Sequence, residues 1–161
     1  MLQMEGWVVT KKWTNDAALV DSMAGALVDM LSLLPKRLVR TDAIVRDHGM
    51  PFSQVQILVL LADGPLSVGD ISARLNIAKP NITPLVDSLR QMGLVERVRD
   101  EADHRIVNVR VLPAGEEKLQ QIRDDVRAQI ISWQGEYSRS EMKELNNALA
   151  TVMRFAKGRT E

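Results

Sequence analysis

Apolar and polar positions change period several times along this chain, and each change predicts an element. From Asn15 to Leu34 the residues Val20, Met23, Leu27, Met30, Leu31 and Leu34 recur at steps of three and four. That spacing predicts an amphipathic helix, with Asn15 or Asp16 as its cap. Pro35 interrupts the pattern: either a second helix starts there, with the proline in its first turn, or one long helix kinks. Lys36–Asp47 continues with helical spacing through Leu38, Ile44 and Val45, and Gly49-Met50-Pro51 ends it. Ser53 with Gln56 has the form of a capping box at the head of a short apolar helix, Gln54–Ala62. Asp63-Gly64-Pro65 reads as a turn. Ser67 with Asp70 opens another helix near Val68–Leu75, and a further helix runs to Gln91 or Met92 before Gly93 stops it.

The period then shortens to two. Val95–Asp100 alternates, Ile106–Leu112 is β-rich, and the polar run Asp100–Arg105 lies between them, the pattern of a β-hairpin. Pro113 leads into a long helix with Leu119, Ile122, Val126, Ile130 and Trp133 on one stripe, broken at Gly135. Ser138 with Glu141 caps a last helix carrying Met142, Leu145, Leu149, Val152 and Phe155. Three short helices followed by a hairpin is the order of a winged helix-turn-helix, with Val68–Leu75 and Pro80–Gln91 as its helix pair.

Composition narrows the chemistry. The chain has 161 residues, enough for one domain with a real core. Lys+Arg and Asp+Glu both number 21, which excludes a protein held to nucleic acid by bulk charge but not a local basic surface. With no cysteine, disulfides, thiolate metal sites, cysteine nucleophiles and thiol redox sensing all fall away. The two histidines, His48 and His104, make a multi-histidine metal site improbable, so no metal and no cofactor are expected. Motifs of nucleophilic, phosphate-cradling or metalloprotease type are missing, so no catalytic residue is assigned and no enzyme expected. The longest apolar run, Ile57–Ala62, is far below a membrane span, and the N-terminal residues carry no signal-peptide pattern; the cytoplasm is the expected location.

Residues 52–115 resemble the multiple-antibiotic-resistance-regulator (MarR) family of bacterial transcription factors. The resemblance is carried by LSVGDISARLNI (66–77), LVDSLRQMGLVERV (85–98), the Asp100…Asp103-x-Arg105 wing, and Gly115 after the second strand. One departure is Leu112-Pro113, where the family usually has Leu-Thr. The implied fold is mainly α with a small two-stranded β wing: a winged helix-turn-helix at 52–112, flanked by dimerisation helices at 15–48 and 113–157 and preceded by an arm, 1–14. The implied function is a homodimeric, sequence-specific regulator of double-stranded DNA at a pseudo-palindromic operator, a repressor released by a small aromatic or phenolic ligand. The alternative is a winged-helix protein-interaction module that does not bind DNA.

On that reading the DNA-binding residues are Ser67, Lys79, Asn81, Thr83, Asp87 and Arg90 on the helix pair, with Arg97, Arg99, His104 and Arg105 on the wing. Lys can bond guanine acceptors, Asn can pair with adenine, and Thr and Lys also hold phosphates. By resemblance Arg105 reaches a minor groove while Asp100 or Asp103 holds the loop. Val20, Met23, Leu27, Leu119, Ile122, Val126, Ile130, Leu145, Leu149, Val152 and Phe155 would form the dimer seam, and His48 is a ligand-contact candidate. The cationic stretch Lys36, Arg37, Arg40 and Arg46 reads as a solvated face, with a site for a ligand carboxylate as the alternative. Pro80 and Pro84 predict a tight or irregular first turn at 79–82, with regular helix from about Ile82.

Overall fold

The computed structural model describes residues 16–35, 39–100 and 103–156. The expected arm at 1–14, the alternative cap Asn15, and Lys36, Arg37, Leu38, Glu101 and residue 157 lie outside the described residues. The chain divides after Met50 into two compact units.

In the first unit, α1 spans Ala17–Leu33 and α2 spans Thr41–His48. Asp16 caps α1, its carboxylate accepting the Leu19 amide at 3.0 Å. α1 buries none of its residues. The expected helical run through Lys36–Asp47 is corrected at its described residues: Val39 and Arg40 lie outside helix, Arg40 with a left-handed φ of 46°, and α2 starts at Thr41. Pro35 supplies no amide, the Val39 amide reaches back to the Leu34 carbonyl, and the Thr41 hydroxyl donates to the Pro35 carbonyl at 3.1 Å. α2 buries Ile44 and ends at Gly49 in the left-handed region, φ 66°.

The second unit holds α3 (Phe52–Leu61), β1 (Leu66–Ser67), α4 (Val68–Leu75), α5 (Lys79–Gln91), β2 (Val95–Arg99), β3 (Val107–Val111), α6 (Pro113–Ser132) and α7 (Arg139–Ala156). The sheet is antiparallel in the order β1-β3-β2, with Val95 opposite Val111, Arg99 opposite Val107 and Leu66 opposite Val109. The two expected strands are present. The short β1 is an addition that a two-residue run gives no period to reveal.

α3 is the hub. It packs against α4, α5, α6 and β3, which is why it is apolar nearly all round. Val55, Ile57, Leu58 and Leu61 of α3 join Ile71, Ile82, Val86, Leu89, Leu94, Val95 and Val109 in the core. The expected Ser53–Gln56 capping box is not formed: α3 begins one residue earlier, at Phe52, behind Pro51 as N-cap with no side-chain cap bond. The Ser138–Glu141 box does form, the Ser138 amide donating to Glu141 Oε2 at 2.7 Å and the Glu141 amide to Ser138 Oγ at 3.3 Å. The Ser138 side chain, foremost, and then its backbone amide hold the Glu141 carboxyl below its ordinary value.

α5 stops at Gly93, φ 70°, with the Leu94 amide donating to the Leu89 carbonyl. The Leu94 carbonyl then accepts the Leu112 amide at 2.9 Å, joining the entrance of β2 to the exit of β3. Gly115 in the first turn of α6 presses against this joint: a β-carbon there would lie 2.3 Å from Leu94 O. Leu119 and Ile122 of α6 are also part of this core. That corrects their assignment to the dimer seam, because their apolar surface is already covered within one chain.

Candidate nucleic-acid interface

The helix pair is built around the head of α4. Ser67 caps it: the Asp70 amide donates to Ser67 Oγ at 3.1 Å, and the Ser67 amide donates back to Asp70 Oδ2 at 3.2 Å. The Ser67 hydroxyl donates to the same carboxylate oxygen at 2.6 Å. The Ser67 side-chain and backbone donors hold the Asp70 carboxyl below its ordinary value. The Ser67 hydroxyl thus serves the cap, 2.6 Å from the Asp70 carboxylate and accepting the Asp70 amide. Lys79 lies across the same turn. Its Cε and Nζ are each 3.2 Å from where a Gly69 β-carbon would sit, so the absence of a side chain at Gly69 gives the lysine its seat.

α5 starts regularly at Lys79, not at about Ile82, which corrects that expectation. Ala78 is the N-cap, and the tightness expected from the prolines survives as a short Asn81 N–H to Ala78 O bond of 2.8 Å. Pro80 occupies the second helical position, where no amide is needed. Pro84 lies inside the helix and leaves the Pro80 carbonyl without its helical donor. Ile82, Val86 and Leu89 point into the core. At helical spacing the opposite stripe is Pro80, Pro84, Asp87 and Gln91. Asn81 is exposed on one flank; Thr83, half-buried on the other, donates its hydroxyl to the Lys79 carbonyl at 3.1 Å.

Asp87 ties this helix to the wing. Arg97 Nη2 on β2 is 3.0 Å from Asp87 Oδ1, and Arg90 Nε is 4.0 Å away. The pair is partly exposed, so it orients more than it stabilises.

The wing tip is closed by two aspartates. Asp100 accepts the Asp103 amide at 3.0 Å and the Asn108 side-chain amide at 2.9 Å. Asp103 accepts the Arg105 backbone amide and, through both oxygens, its guanidinium, each at 3.0 Å. Both aspartates left open by the sequence therefore hold the loop, Asp100 through the Asp103 amide and Asn108, Asp103 through the backbone and side chain of Arg105. The Arg105 side chain is 91% exposed, so this ion pair is presented to solvent. His104 is exposed in the same turn, and Arg99 is exposed at the end of β2. Sequence reasoning missed Asn108, and it missed the cross-strand Glu96–Arg110 pair. Both depend on the strand register, for which a hairpin with a long loop gives no sequence rule.

The Arg105 guanidinium, foremost, and then its backbone amide hold the Asp103 carboxyl below its ordinary value. A carboxyl depressed in this way supports the loop at all pH above its unfolded value and loses that support as pH falls through the lowered one. The expected result is a wing tip unchanged from neutral pH down to the usual carboxylate range and loosened only below it. NMR titration of the Arg105 amide checks this; a midpoint at or above the ordinary Asp value contradicts it.

His48 is the half-buried last residue of α2 and belongs to the first compact unit. Val20, Met23 and Leu27 are exposed on α1, Leu149, Val152 and Phe155 on α7, and Ile130 on α6, while Val126 and Leu145 are half-buried. Among the described residues there is no group of three or more potential metal ligands, and no helix is long and apolar enough to cross a membrane.

The family model described as "MarR family" matches residues 48–106, which contain α3, α4, α5 and β2. Over those residues the chain is similar to the MarR family. The uncharacterised HTH-type transcriptional regulator YsmB of Bacillus subtilis is 37% identical over 59 residues, covering 37% of this chain and 40% of that protein. The chain thus aligns with about two fifths of that relative's length. A MarR family protein from Bacillus stearothermophilus superposes with a TM-score of 0.68 at 25% identity, covering 86% of this chain and 95% of that one. RV1404 from Mycobacterium tuberculosis superposes at 0.72 with 22% identity, over 88% and 96% of the two chains, and shows the fold alone. YsmB, and MgrA of Staphylococcus aureus, carry the names of HTH-type transcriptional regulators.

Proposed function

We propose that this chain is a homodimeric transcriptional regulator that binds double-stranded DNA at a pseudo-palindromic operator. The observation that carries the reading is the MarR-type winged helix with α5 anchored on one face by Ile82, Val86 and Leu89, its opposite face exposed, and Arg105 presented at the wing tip. In this fold such a helix enters the major groove, while the wing arginine suits the negative potential of a narrow minor groove. Asn81, Thr83, Lys79 and Arg90 are the helix residues assigned to DNA; Arg99, His104 and Arg105 are assigned on the wing. Asp87 and Arg97 are assigned to holding helix and wing together, and Ser67 to capping.

The dimer is assigned to the flanking regions 15–48 and 113–157. α1 exposes Leu27, Val28 and Leu31 at 58%, 65% and 79%, and α7 exposes Phe155 at 76%, apolar surface that a second copy would cover. Repression, relieved by a small aromatic or phenolic ligand near His48, is the mode of action that the family resemblance favours. Ligand binding would shift the population toward a spacing of the two helices that no longer fits successive major grooves, about 34–36 Å apart.

The test is fluorescence anisotropy on operator and scrambled duplexes across a salt series. Arg105→Ala should lower the log–log salt slope by roughly 2 for a dimer, about 0.9 per lost phosphate contact. Asn81→Ala should cost about 1–3 kcal/mol per half-site on operator and almost nothing on scrambled DNA. A wild-type chain with no salt-dependent affinity for any duplex would leave the interaction-module reading standing instead.

A further inference from the structure

We propose that Pro80 and Pro84 read thymine methyl groups, so that α5 selects thymine at fixed positions of each half-site. This rests on the DNA-binding reading above. The stripe of α5 opposite its buried residues Ile82, Val86 and Leu89 begins with these two prolines, one turn apart and both exposed. The polar side chains assigned to DNA flank this stripe, and none lies on it before Asp87. Lys79 is seated over Gly69 at the head of α4, the Thr83 hydroxyl donates to the Lys79 carbonyl, and Asp87 faces Arg97 at 3.0 Å. In its first two turns the helix therefore presents two pyrrolidine rings to the groove, with the Asn81 amide on one flank.

A pyrrolidine ring neither donates nor accepts a hydrogen bond. The thymine C5 methyl is the apolar feature of the major-groove edge and its natural counterpart. Packing does not account for Pro84. It is exposed, it removes the amide that would bond the Pro80 carbonyl, and its ring crowds that same carbonyl, all of which disfavour helix at this position. A ring that weakens its own helix and covers no core is explained by what it presents outward.

The experiment uses the full chain and the duplex recovered by selection from a random pool. Each thymine of one half-site is replaced singly by uracil, which removes only the methyl group and leaves the hydrogen-bonding pattern intact. The expected result is a loss of about fourfold in affinity at one or two positions, the size of one buried methyl group. Pro84→Ala restores the amide, so that variant should melt no lower than wild type, yet bind the thymine and uracil duplexes alike at its position. Pro80→Ala should do the same at the other. If the selected half-site tolerates uracil everywhere within twofold, or the proline variants keep the full uracil penalty, the inference is overturned while DNA binding stands. If no duplex is enriched, the DNA-binding reading itself fails and this inference falls with it.

Discussion

Gly115→Ala is expected to lower the unfolding free energy of the winged helix by about 3 kcal/mol, the upper part of the range for forced overpacking. The new β-carbon would lie 2.3 Å from the Leu94 carbonyl oxygen and 2.7 Å from Val111 Cγ2. Neither neighbour is free to yield. The Leu94 carbonyl is held by the Leu112 amide at 2.9 Å, and Val111 is paired with Val95 across the sheet. α6 would have to lift, and Leu119 and Ile122 would leave the core with it. The sign is informative because glycine to alanine inside a helix ordinarily gains roughly 0.5–1 kcal/mol. Gly25→Ala, in α1 with nothing within 4 Å of the new carbon, is the matched control and should show that gain. Urea denaturation of both variants checks the pair; equal midpoints for Gly115→Ala and wild type would show that α6 can move aside freely.

Leu149→Glu should convert a dimer into a folded monomer and abolish cooperative operator binding. Leu149 is 43% exposed in the single chain, on a helix that buries none of its residues, so a carboxylate there remains solvated in a monomer. In the proposed dimer the same carboxylate is buried unpaired, and symmetry places it there twice. Removing one partner of a buried charge pair costs about 3–5 kcal/mol, and a charge inserted with no partner is penalised on that order. Leu119→Glu behaves oppositely: at 3% exposure it belongs to the chain's own core, and its glutamate variant should unfold instead of dissociating. Sedimentation with circular dichroism separates the two. A Leu149→Glu protein that remains a dimer, or a wild-type chain that is monomeric at micromolar concentration, removes this assignment of the seam.

The contrast between Leu119 and Leu149 shows where sequence reading stops. Both lie on helical stripes of the same period, and periodicity reports which face is apolar without saying what covers it. The elements themselves were legible wherever period and punctuation agree: the Ser67–Asp70 box, the stop at Gly93, the hairpin between Val95 and Val111. Boundaries failed where proline acts through more than one rule. Pro35 separates α1 from α2 where the helical spacing of Ile44 and Val45 argues for continuity, while Pro84 is tolerated inside α5 where the rule against interior proline argues for a later start. At the candidate site the residue types were readable and their engagements were not. The Asp87–Arg97 pairing joins residues on two elements and needs the packing of α5 on β2. Asn108 finds Asp100 through the register of two strands. Both are facts of tertiary geometry, invisible to local spacing.

The two-residue strand β1 has a kinetic consequence. Leu66 is opposite Val109, so the segment leading into α4 is stitched to the strand that comes after both helices of the helix-turn-helix. Val109 is also fully buried. During synthesis, α4 and α5 therefore leave the ribosome before the strand that completes their sheet and core exists, and loop closure over that separation must be met before the pairing rewards it. The winged helix is thereby expected to fold as one cooperative unit. Native-state hydrogen exchange should find the amides of α5 and β3 opening together, and a fragment ending at Asp100 should remain without fixed tertiary structure.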